Sequence, residues 1–244
     1  ISINIYIENE IVGRISLDIS SVSDKTINDT TKNLLESFAN LVSAFFYFKR
    51  YNDIQTKFTK ELIISITQVL EMYDKYTRGH SENVAKLARE IAEKMELSNK
   101  KVNEAYWAGM IHDIGKLLIP LDILNKKSRL TEKEYQYVKK HPSWGYKALS
   151  QSDTMGNIAE YVLYHHERWD GTGYPEGLEE EEIPVVSQIL AVADAWDAMR
   201  SRRSYRQPLP LERAIQEVKD NMGIQFAPQI ARILLKIIRK EEIA

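Results

Sequence analysis

Five histidines, His80, His112, His141, His165 and His166, are the only ones in the chain, and all fall between residues 80 and 166. A lone histidine is more often an ordinary surface or core residue than a ligand, but these five are arranged in an unusual way. His112 is followed directly by Asp113, and His165 by His166. Each pair interrupts a segment that is otherwise apolar, AGMIHDIGKLLIP and IAEYVLYHHERWD. Adjacent residues on a helix point about 100° apart and cannot both hide on one apolar face. Buried polar groups need partners, and metal ions would supply them for both pairs at once. The chain has no cysteine, which excludes disulfides, thiolate metal sites and a cysteine nucleophile. Imidazole and carboxylate without thiolate suit iron, manganese, zinc, nickel or cobalt. So many candidate ligands exceed the needs of one ion with open positions. They suit a two-metal site, with ions about 3.5–4 Å apart sharing a bridging group. Asp113, next to His112, is the natural bridge. A metal-activated hydroxide could then attack phosphorus near pH 7.

Longer motifs extend this reading. His112-Asp113-Ile114-Gly115-Lys116 is similar to the H-D-x-G-K signature of HD-domain phosphohydrolases. The run from His165 to Pro175, HHERWDGTGYP, resembles the H-H-E-x-x-D-G-x-G-Y-P signature of the HD-GYP subfamily. DAWDAM from Asp194, followed by RSYR from Arg203, resembles its D-x-x-D-A-[ML] and R-P-Y-R segment, and YTRGHS from Tyr76 resembles its Y-T-x-G-H-S segment. The resemblance spans about residues 65 to 240. It implies an all-helical domain that hydrolyses cyclic di-GMP to pGpG or on to GMP. It implies metal ligands at His80, His112, Asp113, His141, His165, His166 and Asp194, holding two divalent transition-metal ions, iron or manganese before zinc, nickel or cobalt. It gives catalytic roles to Asp113 and Lys116, with Lys116 meeting a substrate phosphate or the nucleophile. Arg203 and Arg206 would grip phosphate through paired guanidinium donors. Asp197 would orient a ligand or a basic side chain beside the substrate. Gly173, Tyr174 and Pro175 would shape a loop at the site mouth.

The ordinary readings stand beside these. RSRRSYR is a basic run, and such runs are usually solvated. Tyr174 is able simply to pack, and Trp169 and Trp196 read as structural. Two positions depart from the family pattern. Tyr76 stands where some members carry a glutamate that adds a third metal, which argues for two ions; Asp74 or Glu71 is the nearby carboxylate able to add a ligand. Ser204 stands where proline is usual. The alternatives to a cyclic di-GMP phosphodiesterase are an HD phosphohydrolase of another nucleotide and a cyclic di-GMP receptor with little turnover.

The elements that must position these residues are mainly helical. Val84, Leu87, Ala88, Ile91 and Met95 form one amphipathic stripe, with Ser81 as its cap, and further helices are expected over 99–114, 132–141, 158–166, 185–199, 211–220 and 228–240. Gly171, Gly173 and Pro175 break the chain into a loop. Upstream, Ile1, Ile3, Ile5 and Ile7 alternate with polar residues, and Ile15, Leu17 and Ile19 repeat the pattern after a turn. That reads as a β-hairpin, which is marginal alone and needs partners, in preceding sequence or another subunit. From about Asn28 to Tyr73 the pattern is one long helix or two joined by a kink. Its apolar stripe packs in a core or forms a coiled-coil homodimer. The hairpin and helix resemble the end of a GAF sensory domain, on Gly13, Ser16, Leu17 and Asp18. The expected organisation is thus a partial GAF-like segment over 1–50, a linker helix over 51–75 and an HD-GYP catalytic domain over 76–244, with signalling proteins as further partners.

The net charge of −2 gives no basic field for long nucleic acid. No apolar run reaches the roughly 18–20 residues of a membrane span, and no signal peptide is visible. Absence of cysteine fits a reducing cytoplasm. A start at Ile1 rather than Met reads as a piece of a longer protein, whose other part would carry any membrane or sensory segment.

Overall fold

The computed structural model describes residues 2–7, 10–16, 29–74, 79–152, 154–201 and 207–241. Tyr76, Arg203, Ser204 and Arg206 lie outside the described residues, as do Leu17, Asp18 and Ile19. The chain divides into two units, Ile1–Leu62 and Ile63–Ala244.

In the first unit, β1 (Ser2–Ile7) pairs antiparallel with β2 (Glu10–Ser16). Ile5 and Ile7 are buried, as the alternation requires, and the register slips by one residue between Ile5 and Tyr6. The hairpin finds its partner within the chain: Ser43, on the helix that follows, accepts a hydrogen bond from the Tyr6 amide at 3.2 Å. That helix, α1 (Asp29–Tyr73), is a single run of 45 residues, about 68 Å long, not two helices with a kink. No glycine or proline interrupts it. Of its large apolar side chains few are buried; Ala39 and Leu70 are the buried hydrophobic residues along it, and most of its stripe faces outward.

The second unit is all-helical. After the end of α1 come α2 (His80–Lys94), α3 (Asn99–Ile111), a 3₁₀ turn (Ile114–Leu118), α4 (Leu121–Leu124), α5 (Glu132–Val138), α6 (His141–Leu149), α7 (Gly156–Leu163), α8 (Val185–Arg200), α9 (Leu211–Asp220) and α10 (Pro228–Glu241). Core side chains come from α2 (Val84, Ala88, Ile91), α8 (Ile189, Leu190) and α10 (Ile230, Leu234), all buried. Trp196 is buried in this core and Trp169 packs on it, as structural residues do. Small residues bring α2 and α3 close: a Cβ added at Gly109 would lie 2.7 Å from the Ala85 Cα. No helix among the described residues is long and apolar enough to cross a membrane.

Several helix ends differ from the expected ranges, and the differences matter. α3 stops at Ile111, α5 at Val138 and α7 at Leu163, so His112–Asp113 and His165–His166 lie beyond helix ends instead of inside helices. His141 opens α6 and does not close α5. Ser81 does not cap α2: Gly79 is the cap residue, with φ +76°, and Glu71 of α1 accepts the Gly79 and Ser81 amides at 2.8 and 3.1 Å. A carboxylate brought from another helix serves the orphan donors better than the hydroxyl of a residue already inside the first turn.

Gly109→Ala is expected to destabilise the chain by about 1–3 kcal/mol, because backbone of two helices must separate. The midpoint of urea unfolding checks this, at unchanged slope.

Candidate metal centre

Three histidines are placed by one local bond. His112, His141 and His165 each stand just past the end of a helix. Their Nδ1 atoms lie 2.8, 2.9 and 2.6 Å from the carbonyl oxygens three residues back, those of Gly109, Val138 and Val162. A carbonyl only accepts, so each Nδ1 carries a proton and donates it. In the neutral ring the lone pair then sits on Nε2. The last carbonyls of a helix have no partner within it. Each bond satisfies one of them and aims Nε2 inward.

What those Nε2 atoms meet is informative. His141 and His165 face each other at 3.4 Å through Nε2. Two lone pairs at that separation require a proton or a cation between them. His112 Nε2 is buried with no hydrogen-bond partner among the described residues, although Asp113 Oδ2 lies 3.3 Å away.

His80 is held differently. It is the first residue of α2, and its Nδ1 donates to Asp197 Oδ2 at 2.6 Å, while Nε2 lies 3.2 Å from Asp194 Oδ1. Asp197 also accepts from Asn83 Nδ2 and Ser201 Oγ, each at 2.9 Å. With both oxygens engaged inside the protein, Asp197 stands behind His80. Of the two roles expected for Asp197, these bonds match the orienting of a neighbouring side chain.

The result is two triads. His80, His112 and Asp194 each offer one ligand atom, all within 4.8 Å of one another, and so do His141, His165 and His166. Asp113 lies between them, with Oδ1 3.3 Å from His141 Nε2 and Oδ2 3.3 Å from His112 Nε2. Lys116 Nζ sits 2.6 Å from Asp113 Oδ2 and 3.7 Å from Asp74 Oδ2. Gly115 explains how the 3₁₀ turn gets so near to α6. A Cβ there would overlap the His141 carbonyl oxygen and lie 2.8 Å from the Gly145 amide.

The donor set fits metal ions: nitrogen and oxygen only, buried, and with an orphaned imidazole nitrogen. The charges agree. Burial lowers the His80 pKa, but Asp194 and Asp197 outweigh it and raise it to about 10. Burial, with its histidine neighbours, holds His165 well below the ordinary range and lowers His166 to about 3, leaving both neutral as ligation requires. Burial alone would raise Asp113, but Lys116 and His112 hold it well below the carboxylate range. Burial opposes the Lys116 charge, and Asp113 and Asp74 more than offset it, raising its pKa.

The loop beyond His166 closes over this arrangement. The Tyr174 ring lies tilted on His166, centroids 4.9 Å apart, and Tyr174–Pro175 is a cis peptide. Gly173 passes so close that a Cβ would lie 2.5 Å from the Glu167 Cα. Glu167, buried, accepts the Glu176 and Gly177 amides at 2.7 and 3.1 Å through Oε1 and so ties the loop down. Glu167 and Glu71 had no positioning role in the sequence reading. Glu167 carried a signal, its place directly after the His165–His166 pair. Glu71 carried none beyond its nearness to the motif, because its partner amides come together only in the folded chain.

Comparisons with known proteins agree with this geometry. The HD domain family model matches residues 65–230, which include all seven residues around the site. A Thermotoga maritima protein named cyclic di-GMP phosphodiesterase is 42% identical over 193 residues, 78% of this chain and 51% of that protein. A Vibrio cholerae protein named 3'3'-cGAMP-specific phosphodiesterase 2 is 32% identical over 180 residues, 73% of this chain and 34% of that one. The chain therefore spans about half the length of the first relative and a third of the second. A solved structure of a cyclic GMP-AMP-specific phosphodiesterase from V. cholerae shares the fold, with a TM-score of 0.60 at 20% identity, covering 75% of this chain and 49% of that one. The helical frame, the adjacent His112 and Asp113, and a family match over more than half of the sequence together mean that the chain belongs to the HD-domain family.

Proposed function

We propose that the chain is a phosphodiesterase that hydrolyses cyclic di-GMP to pGpG and/or GMP at a centre of two divalent transition-metal ions. The observation that carries this reading is the pair of ligand triads on either side of Asp113. The name of the Thermotoga relative supports the substrate. His80, His112 and Asp194 would hold one ion and His141, His165 and His166 the other, with Asp113 bridging. An all-nitrogen-and-oxygen set suits iron or manganese, and also zinc, nickel or cobalt. When bound, such ions supply Lewis acidity and a water that ionises near neutral pH.

The chain's own groups do the remaining work. Lys116, held charged beside Asp113, would neutralise a phosphate oxygen that approaches the site. Arg203 and Arg206 would grip the second phosphate, a role carried by motif alone. Gly173, Tyr174 and Pro175 would form the mouth, with the Tyr174 ring limiting access beside His166. Asp197 and Glu71 would position His80 from behind. Glu71 is committed to amides and Asp74 lies near Lys116, which supports two ions over three. Residues 1–50 would be the end of a GAF-like sensory segment, 51–75 the linker and 76–244 the catalytic part, acting in the cytoplasm with signalling partners upstream.

A second substrate reading has a specific support, the 3'3'-cGAMP-specific relative. Purified chain loaded with manganese or ferrous iron and given each dinucleotide separates the readings. Faster cleavage of cyclic di-GMP is expected. Faster cleavage of 3'3'-cGAMP would favour the second reading, and tight binding without cleavage would make the chain a receptor.

Replacing both His112 and Asp113 by alanine should lower turnover by roughly a thousandfold or more, with the helical circular dichroism kept. Elemental analysis should find two ions per chain in the parent and fewer in the variant. Three full-occupancy ions in the parent would overturn the two-metal reading. Metal at a hundredfold excess over its Kd should stabilise the fold by about 2.7 kcal/mol. That corresponds to a melting temperature higher by roughly 5–10 °C, reversed by a chelator.

A further inference from the structure

Helix α1 carries an exposed seam along most of its length. Starting at Leu34, spacings of four and three residues alternate without a break to Tyr73. Leu34, Phe38, Leu41, Phe45 and Phe48 form its first half, and Leu62, Ile66, Val69 and Tyr73 its second. Asn52, Gln55 and Thr59 lie between. Every one of these twelve positions is exposed, the nine apolar ones by between 38% and 68%. Solvent-facing positions on an ordinary helix are polar. A heptad stripe sustained over more than five repeats is the pattern of a coiled-coil seam.

We propose that this seam pairs with a second copy of the same chain as a parallel, in-register, two-stranded coiled coil. Four observations favour a second copy over other occupants. The 3.5-residue repeat matches a partner helix of equal length and equal repeat, which an identical α1 supplies. Asn52 falls at an a position, where one buried asparagine meets its counterpart and sets a two-stranded state and register. The flanking positions offer no repulsion: every g position from Ser37 to Met72 is uncharged, and Lys49 is the only charge at an e position. The area is sufficient, since the nine apolar side chains present on the order of 900 Å² per helix, so that two helices reach the size of a standard stable interface. The hairpin leaves the seam open, because it meets α1 through Ser43, at an f position. The polar middle layers make the coil weakest around Asn52 and Thr59.

The absence of cysteine allows a clean test. Leu41→Cys and Leu62→Cys lie on the seam, and Lys57→Cys lies at the outward f position with its side chain 78% exposed. Under mild oxidation both seam variants should form disulfide dimers and Lys57→Cys should not. Sedimentation of the parent at about 10 µM should give the mass of a dimer, and Phe45→Glu with Phe48→Glu should give a monomer of unchanged helix content. A monomeric parent would overturn the proposal and leave the seam to another protein or to a further segment of the chain. A dimer in which neither seam cysteine crosslinks would overturn it in favour of antiparallel pairing. Equal crosslinking of all three would show random collision and overturn it too.

Discussion

A helix ends with carbonyl groups that no residue of the helix can satisfy. In three places this chain answers that need with an imidazole: His112, His141 and His165 each donate Nδ1–H to a carbonyl three residues back. One such bond contributes only about 1 kcal/mol. Its larger effect is directional, because it fixes the tautomer, orients the ring and sends an unprotonated Nε2 into the interior. The three nitrogens would be a liability in a protein without ions: two face each other at 3.4 Å and the third is buried without a partner. A buried polar group left unsatisfied costs about 1–3 kcal/mol. The fold therefore spends stability on an arrangement that metal ions could relieve.

The groups behind this layer are carboxylates, and each comes from a different part of the chain. Asp197 of α8 takes the His80 Nδ1 proton bond and so turns Nε2 toward Asp194. Glu71 of α1 holds the first amides of α2, and with them the residue that begins that helix, His80. Glu167 gathers the amides of the loop that lays Tyr174 over His166. Lys116 balances part of the resulting negative charge at Asp113. The end of α1 thus reaches these groups at two points, Glu71 in its last turn and Asp74 just beyond it.

The elements differed in how plainly they could be read beforehand. The hairpin followed from the alternation of isoleucines, and the long helix from an apolar stripe without glycine or proline. The adjacency of His112 to Asp113 and of His165 to His166 pointed to metal ligation, and the motifs pointed to Asp113 and to the six residues that the fold brings together in two triads beside it. The helix limits were less legible. Periodicity carried the expected helices through His112, His141 and His165, because an apolar pattern does not record where backbone hydrogen bonding passes from a carbonyl to a side chain. Ser81 looked like a cap because local sequence offers hydroxyls, whereas the amides were taken by Glu71, on the preceding helix and ten residues before Ser81.

The amino-acid sequence by itself determined the ligand chemistry of this protein: imidazoles and carboxylates, no thiolates, adjacent polar pairs inside apolar runs, and a heptad stripe on a long helix. These are properties of residue type and short-range spacing, so they are present before folding. Tertiary structure decided everything that depends on distance through space. It placed Asp113 between two triads, put Asp197 against His80, and brought Glu71 to the start of α2. It also left the α1 seam exposed rather than burying it in the chain's own core. The approach of the Asp113 turn to α6 uses a backbone contact that Gly115 permits, and no spacing rule along the chain encodes which helix will come to meet it.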